Sequence, residues 1–292
     1  MRDLPQEYML RAMQGVWKRV NRRRDANSSW ERSLSSMPYA ILDPASNPES
    51  QVTARNEQCA LAIMAKAPRA GKVKTRLSPP LTLEQSAALN ICFLRDTAES
   101  IADVSAGGHS AGLVCYTPVG EEAAFDGLLP ASFHLIPQRG DGFGERLLAA
   151  AQDILQCGYG SVCLIDSDSP TVPAAAFEQA TVELAGPGDR IVLGPSHDGG
   201  YYMIGFKHPH AEVFAGIHWS TDTVFAETMA AAHAAGLETV TLPLWYDVDD
   251  AATLNILYAE LLDHAPPPFA TLPGYAGVHT KNFLRKLRNG GS

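Results

Sequence analysis

The chain has 292 residues, of which 46% are apolar and 19% are charged, a composition ordinary for a soluble globular protein with a sizeable core. No run of about 18 or more apolar residues occurs, so the sequence predicts no transmembrane segment. The net charge is −9, yet five of the ten Lys and Arg residues between positions 56 and 279 lie within 66–76. General nucleic-acid binding needs a broad basic face and fits this distribution poorly, whereas the clustered charges indicate an anion site in one loop.

The cysteines and the start of the chain indicate in which cellular compartment the protein is expected. Five cysteines are irregularly spaced, and no Cys-x-x-Cys motif occurs, which favours buried, reduced thiols over a zinc site or a disulfide framework. Arg11 interrupts the apolar patch near the start of the chain, so no signal peptide is predicted. We therefore expect a cytoplasmic protein.

Residues 1–55 are predicted as an extension that contains an amphipathic basic helix and a linker. Apolar residues recur at helical spacing between Tyr8 and Val20, and basic residues follow as far as Arg24. Such a helix suits an anionic membrane surface or a partner, or it docks on its own domain, and the pattern leaves these alternatives open. Residues 25–56 are rich in Ser, Asn and Pro, which is typical of a linker.

From Cys59 onward, short apolar runs alternate with amphipathic stretches. Continuous apolar strands between helices indicate an α/β domain with a mostly parallel, twisted sheet and helices on both faces. We expect this domain to span 56–265, followed by a Pro-rich and then basic tail over 266–292. Strands are predicted at 59–65, 112–116, 133–136, 161–165, 190–194, 201–205 and 238–242, and helices at 82–104, 144–156, 173–185, 221–235 and 250–263.

The first predicted strand of this domain runs into a basic loop, MAKAPRAGKVKTRL. Ligands of parallel sheets bind at the carboxyl ends of the strands, where this loop lies. Its glycine lets the backbone approach a ligand, and its Lys and Arg side chains supply donors for phosphate oxygens. The loop lacks the Walker A pattern, and a solvated basic loop is the plain alternative. The candidate nucleotide-binding residues here are Lys66, Arg69, Gly71, Lys74, Thr75 and Arg76.

Two glycine-containing turns supply weaker candidates. In QRGDGFGERL, Gly142 and Arg146 could contact a nucleotide at the start of a predicted helix, although a plain turn explains this pattern equally well. In HDGGYY, Asp198 lies between two predicted strands whose ends should line the same cleft. Asp198 is the candidate catalytic residue on the acceptor side, with a simple tight turn as its alternative.

Aspartates lie beside the same predicted edge of the sheet. Asp166 and Asp168 directly follow the strand 161–165, and Asp247 and Asp249 precede the last predicted helix. Carboxylates gathered at strand ends are costly unless a cation compensates them, and Mg²⁺ or Mn²⁺ that also bridges a diphosphate is the natural compensation. Asp168, Asp166 and Asp249 (or Asp247) are therefore candidate metal ligands, while turns and helix caps are the alternatives.

Five segments together resemble a bacterial family of glycosyltransferase-A-like proteins: MAKAPRAGKVKTRL, QRGDGFGERL, LIDSDSP, HDGGYYMIG and WYDVDD. Its members are known as radical-SAM/selenodomain-associated transferases or as glycosyltransferases of arsenosugar biosynthesis, within the nucleotide-diphospho-sugar transferase superfamily. The resemblance spans roughly 59–262. It implies a glycosyltransferase-A (Rossmann-like) fold, and the N-terminal extension falls outside it.

The resemblance also implies roles for individual residues. The family usually has Gly and Asp in the stretch Asp166–Asp168, so Asp168 matches the family position and Asp166 departs from it. By this similarity the nucleotide or its phosphates would contact Lys66, Gly71, Lys74 and Arg76, and the metal would bind Asp168 and, as second candidate, Asp249.

We therefore expect a metal-dependent glycosyltransferase that uses a nucleotide diphosphate-sugar donor and a small-molecule acceptor. The nearest alternative is a nucleotidyltransferase that joins a nucleoside triphosphate to a phosphorylated small molecule and releases pyrophosphate. A non-catalytic nucleotide-binding or scaffold protein is the alternative from another class.

Overall fold

The structure is a computed structural model that describes residues 39–46 and 55–290. The amphipathic helix predicted between Tyr8 and Val20 lies outside the described residues. The described residues belong to one unit that begins at Tyr39. In this part of the chain, no helix is both long enough and apolar enough to cross a membrane.

Eight strands form a single sheet in the described chain. The inner strands are continuous apolar runs, as expected where helices cover a sheet on both faces. The strands are β1 (Ala40–Ile41), β2 (Cys59–Lys66), β3 (Ser110–Thr117), β4 (His134–Pro137), β5 (Ser161–Ile165), β6 (Arg190–Pro195), β7 (Tyr201–Phe206) and β8 (Glu238–Thr241).

The strand order is β1-β4-β3-β2-β5-β7-β6-β8. Every described pair is parallel except the two that β7 makes with β5 and β6. Strand β7 is antiparallel because it follows β6 through a tight turn, in which Ser196 N donates to Gly200 O at 3.0 Å. This turn therefore lies at the edge where the parallel strands end, and the predicted mostly parallel α/β fold is confirmed.

Six helices of the described residues cover the two faces of the sheet. Successive side chains of strand β2 point to opposite faces of the sheet. Leu61 and Ile63 belong to one apolar cluster, and Ala60 and Ala62 belong to the other. The first cluster takes residues from α1, α3, α5 and α6, and the second from α2 and α4. These helices are α1 (Leu83–Ser105), α2 (Phe143–Gln156), α3 (Ala174–Ala185), α4 (Val224–Ala234), α5 (Ala251–Asp263) and α6 (Val278–Gly290).

Side-chain caps explain where two of these helices begin. Before α1, Thr82 Oγ1 accepts from Gln85 N at 3.2 Å while Gln85 Oε1 accepts from Thr82 N at 2.9 Å, which is a reciprocal capping box. Before α5, Asp250 Oδ1 accepts from Thr253 N at 2.8 Å. Asp250 is thus the N-cap that its position before an apolar run indicates.

The predicted linker over 25–56 needs correction where the structure describes it. Strand β1 pairs with β4, so residues Ala40–Ile41 extend the sheet. Tyr39 is buried and its hydroxyl donates to Leu129 O at 2.9 Å. Two residues form too short a strand to show a periodic pattern, which is why sequence reasoning missed it.

The predicted tail over 266–292 also differs, because it contains α6. The side chain of Leu284 is fully buried against the cluster that α1 and α5 share. The carboxylate of Asp96, on α1, accepts from His279 N at 2.9 Å and from Thr280 N at 2.8 Å, and so caps the start of α6. This cap comes from a residue far away in sequence, and the many polar residues of α6 obscure its single deeply buried leucine.

If α6 is an integral part of the domain, Leu284→Ala should lower the free energy of unfolding by about 2–5 kcal/mol, through lost burial and the cavity left behind. Urea denaturation followed by circular dichroism measures this change. The matched control is Asn282→Ala on the exposed side of the same helix, which should cost less than about 0.5 kcal/mol. Equal, small effects of both substitutions would mean that α6 does not stabilise the fold.

Candidate active site

The candidate site lies at the sheet edge where the parallel strands end. The loop after β2, the loop after β5 and the segment between β8 and α5 meet there around a cavity of about 240 Å³. This is the edge at which open α/β sheets bind ligands. The cavity is lined by Lys66, Lys72, Val73, Lys74, Thr75, Arg76, Asn90, Ser167, Asp168 and Asp249.

The basic loop folds into a tight turn, in which Lys72 N donates to Arg69 O at 3.0 Å, and a short 3-10 helix, Thr75–Leu77. Gly71 has a φ of 71°, which a glycine adopts without strain. Lys74 also has a positive φ, 49°, which is uncommon for a residue with a side chain. Leu77 is fully buried in the core and anchors the end of the loop. The loop is therefore held in a defined conformation, with its basic side chains at the cavity.

Backbone hydrogen bonds bring the aspartate segments together. Val248 N donates to Asp168 O at 2.9 Å, which joins the loop after β5 to the segment before α5. Trp245 N donates to Pro195 O at 3.0 Å, which ties the same segment to the end of β6. Trp245 is fully buried and fixes this segment in the core. As a result Asp168 and Asp249, 81 positions apart in sequence, face one cavity.

Lys74 connects the two halves of the site. Its Nζ lies 2.9 Å from Asp168 Oδ1 and 2.8 Å from Asp249 Oδ1, and it donates to Val248 O at 2.8 Å. Its side chain is only 3% exposed. Burial by itself would lower the pKa of Lys74, but the two carboxylates raise it above its usual 10.5. The lysine is therefore charged and locked between the aspartates.

The remaining carboxylates are less well compensated. Burial raises the pKa of Asp166 well above 3.8, and the charges of Asp168 and Asp247 raise it further. Burial likewise raises the pKa of Asp247 to about 6, with added repulsion from Asp198 and Asp249. Burial would also raise the pKa of Asp249, yet Lys74 and Arg76, which both pair with it, hold its pKa below 3.8. The cluster carries more negative charge than its lysine and arginine neutralise.

The donor set of this cluster fits a divalent cation. Carboxylate oxygens are the ligands that Mg²⁺ and Mn²⁺ prefer, and the carboxylates of Asp168 and Asp249 both line the cavity. In the structure, however, the ammonium of Lys74 lies between Asp168 and Asp249. Asp168 and Asp249 could hold the metal only with this ammonium displaced.

Within the part of the chain that the structure describes, only Asp96, Glu99 and His279 bring three ligand atoms within metal-ligand spacing, and the aspartates at the cavity do not. Both oxygens of Asp96 already accept backbone N–H groups at the start of α6, and His279 Nε2 lies 2.7 Å from Glu99 Oε1. These contacts give the three residues a structural role in docking α6. The group lies away from the cavity residues and was not predicted from the sequence.

Several predicted site residues lie outside the cavity. Arg69 pairs with Glu121, and Gly71 shapes the loop without lining the cavity. At the start of α2, Glu145 Oε2 accepts from Gly142 N at 3.2 Å, and Arg146 donates to Asp141 O at 3.1 Å. The amides of that turn are thus already bound by a side chain of the same helix, as in an ordinary helix start.

Asp198 also lies outside the cavity lining. It is exposed in the turn between β6 and β7, and its Oδ1 accepts from Gly200 N at 2.9 Å. The intervening Gly199 has a φ of 91° and packs against the backbone of Asp222, so a side chain would not fit there. This geometry explains the Asp-Gly-Gly sequence as a tight turn, and the charge of Asp198 contributes, after burial, to the raised pKa of Asp247.

Three polar residues that line the cavity were not among the predicted site residues: Lys72, Asn90 and Ser167. Lys72 and Ser167 lie within predicted motifs and were available to sequence reasoning. Asn90 is almost fully buried on α1, within the apolar stretch ALNICFL. A polar residue on the buried face of an amphipathic helix was the signal that could have identified it.

Comparisons with known proteins bear on the fold and on the class of protein. Residues 100–221 match a protein family described as "Uncharacterized protein conserved in bacteria (DUF2064)". A solved structure from Desulfovibrio desulfuricans G20, described as a "putative nucleotide-diphospho-sugar transferase", is 30% identical, covering 79% of this chain and 95% of that chain with a TM-score of 0.67. The chain belongs to the nucleotide-diphospho-sugar transferase superfamily. Its predicted fold and transferase class are thereby confirmed.

Two further similar structures are more distant, and no curated protein sequence matches the chain. CMP:2-keto-3-deoxy-manno-octonic acid synthetase complexed with CTP is 12% identical over 71% of this chain and 100% of that chain, with a TM-score of 0.47. Rv0371c from Mycobacterium tuberculosis H37Rv, in complex with manganese, is 16% identical over 68% of this chain and 96% of that chain, with a TM-score of 0.40. At these TM-scores neither likeness supports a conclusion about this chain.

The raised pKa of Asp247 makes stability depend on pH. The folded state holds this proton up to a pH of about 6, whereas the unfolded chain releases it near 3.8. The contribution of Asp247 to the free energy of unfolding should therefore fall as pH rises from about 4 to about 6, by on the order of 3 kcal/mol, and stay lower above that range. Asp247→Asn keeps an oxygen that can accept from Ser196 Oγ but cannot ionise.

Urea denaturation at several pH values, with EDTA present to remove divalent cations, measures this effect. Relative to the unaltered chain, Asp247→Asn should gain stability as pH rises through the same window. A difference between the two proteins that stays constant from pH 4 to pH 7 would contradict the assignment.

Proposed function

We propose that this chain is a metal-dependent glycosyltransferase that binds the diphosphate of a nucleotide diphosphate-sugar in the cavity between the basic loop and the aspartates. The proposal is carried by one observation: basic and acidic side chains line a single cavity at the carboxyl edge of the sheet. The basic side chains include those of Lys66, Lys72 and Arg76, and the acidic ones are those of Asp168 and Asp249. This combination suits a ligand with phosphate oxygens and a bridging cation.

The size of the cavity supports a diphosphate as the part that enters it. A volume of about 240 Å³ is smaller than the pockets of roughly 300–1,000 Å³ that enclose whole drug-sized ligands. The base and the sugar would then extend along the open sheet edge. Arg69, Gly142 and Arg146, which lie outside the cavity, are proposed contacts for those parts.

The basic side chains would bind and orient the phosphates. Lys66 and Lys72 form no ion pair among the described residues, so their ammonium groups are available to phosphate oxygens. Arg76 is 72% exposed and pairs with Asp249 at the cavity rim, where its planar fork can also reach a phosphate. Gly71 and Thr75 shape this loop, and the carboxylates opposite it would repel a diphosphate that arrived without a cation.

A Mg²⁺ or Mn²⁺ held by Asp168 and Asp249, with Asp166 as a further candidate, would stabilise the charge that develops on the departing nucleotide diphosphate. Asp198 is proposed to accept the proton of a small-molecule acceptor. Its hydrogen bond from Gly200 N fixes the carboxylate in the turn, and its exposure leaves it accessible to an acceptor. This role is supported by the turn between β6 and β7, which lies at the same edge of the sheet as the donor cavity.

Further expectations from the sequence stay predictions. They are a role in arsenosugar biosynthesis, the cytoplasm as the location, and a partner or membrane contact made by the N-terminal helix.

Ligand binding can be tested by a thermal-shift panel of nucleotides and nucleotide diphosphate-sugars, each with and without Mn²⁺. A ligand at 100 times its dissociation constant should stabilise the fold by about 2.7 kcal/mol. We expect a metal-dependent shift with at least one diphosphate-sugar, and no such shift for Asp168→Ala. A shift with triphosphates alone would favour the nucleotidyltransferase, and no shift with any compound would contradict nucleotide binding at this cavity.

With the donor identified, turnover tests the role of the carboxylates. Asp168→Ala should lower turnover by at least about 100-fold, the scale typical of lost transition-state electrostatics. The matched control is Asp222→Asn, which alters an exposed aspartate outside the cavity and should leave turnover close to that of the unaltered chain. Release of a nucleoside diphosphate supports glycosyl transfer, release of pyrophosphate supports nucleotidyl transfer, and undiminished turnover in Asp168→Ala would remove Asp168 from the mechanism.

A further inference from the structure

The ammonium of Lys74 occupies a site built entirely from oxygen atoms. Two of these belong to the carboxylates of Asp168 and Asp249 and the third to the carbonyl of Val248, at distances of 2.8–2.9 Å. An ammonium group has three N–H donors, and all three have a partner here. Oxygen ligands that include two carboxylates are also what Mg²⁺ and Mn²⁺ require. The lysine and a bridging cation would therefore use the same atoms.

The position of Lys74 is unusual for a phosphate-binding lysine. Lys66 and Lys72 in the same loop are exposed, whereas the side chain of Lys74 is almost fully buried. A buried ammonium is tolerated only when it is paired, so this lysine depends on the two carboxylates. Its backbone lies in the left-handed region, with a φ of 49° and a ψ of 37°. The turn that aims Lys74 at the aspartates thus holds a strained conformation.

We propose that Lys74 competes with divalent cations for Asp168 and Asp249, and keeps a cation out of the site for as long as its ammonium lies between them. This inference rests on the proposed function, because it concerns the carboxylates assigned there to the metal. A cation would reach these carboxylates only when the ammonium leaves them. The adjoining cavity offers a destination for the ammonium, since phosphate oxygens bound there would attract it.

The competition has a consequence for the order of binding. A cation alone meets a site whose charge Lys74 already partly neutralises, so it binds weakly. A phosphate ligand that draws the ammonium aside exposes both carboxylates at the moment when the metal is needed. Lys74 therefore acts as a positioning residue that couples occupation of the metal site to occupation of the phosphate cavity.

The test uses Mn²⁺ alone with the full chain, in the absence of any nucleotide. Bound Mn²⁺ is counted by loss of the electron paramagnetic resonance signal of the free ion. Lys74→Met removes the ammonium and keeps much of the apolar stem, so it should bind Mn²⁺ at least about tenfold more tightly than the unaltered chain. Addition of Asp168→Asn to this variant should abolish the gain, which distinguishes this site from Asp96, Glu99 and His279.

The matched control is Lys72→Met, which removes the same charge from the same loop and cavity. Lys72 forms no ion pair with either carboxylate among the described residues, so only general electrostatics change, and the effect should stay below about threefold. A similar gain in both variants would show that net charge, and not direct competition, decides the affinity. Unchanged or weaker Mn²⁺ binding by folded Lys74→Met would overturn the proposal.

Lys74→Gln keeps a donor for Val248 O and provides a second neutral variant if Lys74→Met does not fold. The unaltered chain gives an independent readout, because displaced Lys74 should become reactive toward acetic anhydride when Mn²⁺ occupies the site. A lysine that stays protected while Mn²⁺ is bound at Asp168 counts against the proposal. None of these experiments needs a nucleotide. They can therefore contradict the competition between Lys74 and the cation without contradicting the proposed function, and the reverse also holds.

Discussion

The ion pairs between Lys74 and the carboxylates of Asp168 and Asp249 are the contact on which the geometry of the candidate site depends. They join the loop after β2 to the loop after β5 and to the segment before α5. These three segments are far apart in the sequence. When one partner of a buried ion pair is removed, the other charge is left uncompensated. The free energy lost in this way is larger than the net stabilisation that the pair provides. The same contact therefore holds the loops together and restricts what else can bind there.

The fold supplies the conditions for this contact. Parallel strands end at one edge, so segments that are distant in sequence deliver their first loop residues to the same place. Buried anchors then fix each loop: Leu77 in the basic loop, Trp245 in the segment before α5, and the bond from Val248 N to Asp168 O between the aspartate loops. Because these anchors belong to the core, the carboxylates stay buried and close together, and burial first and mutual repulsion second raise the pKa of Asp166 and Asp247.

Sequence reasoning predicted the strands and helices from Cys59 to Asp263 and the edge at which the site lies, since those features follow from hydrophobic periodicity and from parallel-strand topology. It missed β1 and α6, whose formation depends on β4 and on the carboxylate of Asp96. It placed Lys66, Lys74, Thr75, Arg76, Asp168 and Asp249 together, as the structure does. It could not distinguish exposed Lys72 from buried Lys74, because burial within a loop depends on which distant residues pack over it.

The ammonium of Lys74 also affects how much unpaired negative charge the site carries when no cation is bound. A metal site built from aspartates alone would hold several unpaired carboxylates in a partly buried position whenever no cation was bound, and such repulsion disfavours folding. An internal ammonium partly neutralises that charge in the cation-free protein. In the proposed competition a cation would have to displace the ammonium, and this cost would be offset when phosphate oxygens bound the ammonium in turn. A protein that binds a cation and a diphosphate together can therefore keep its acidic site folded without binding the cation first.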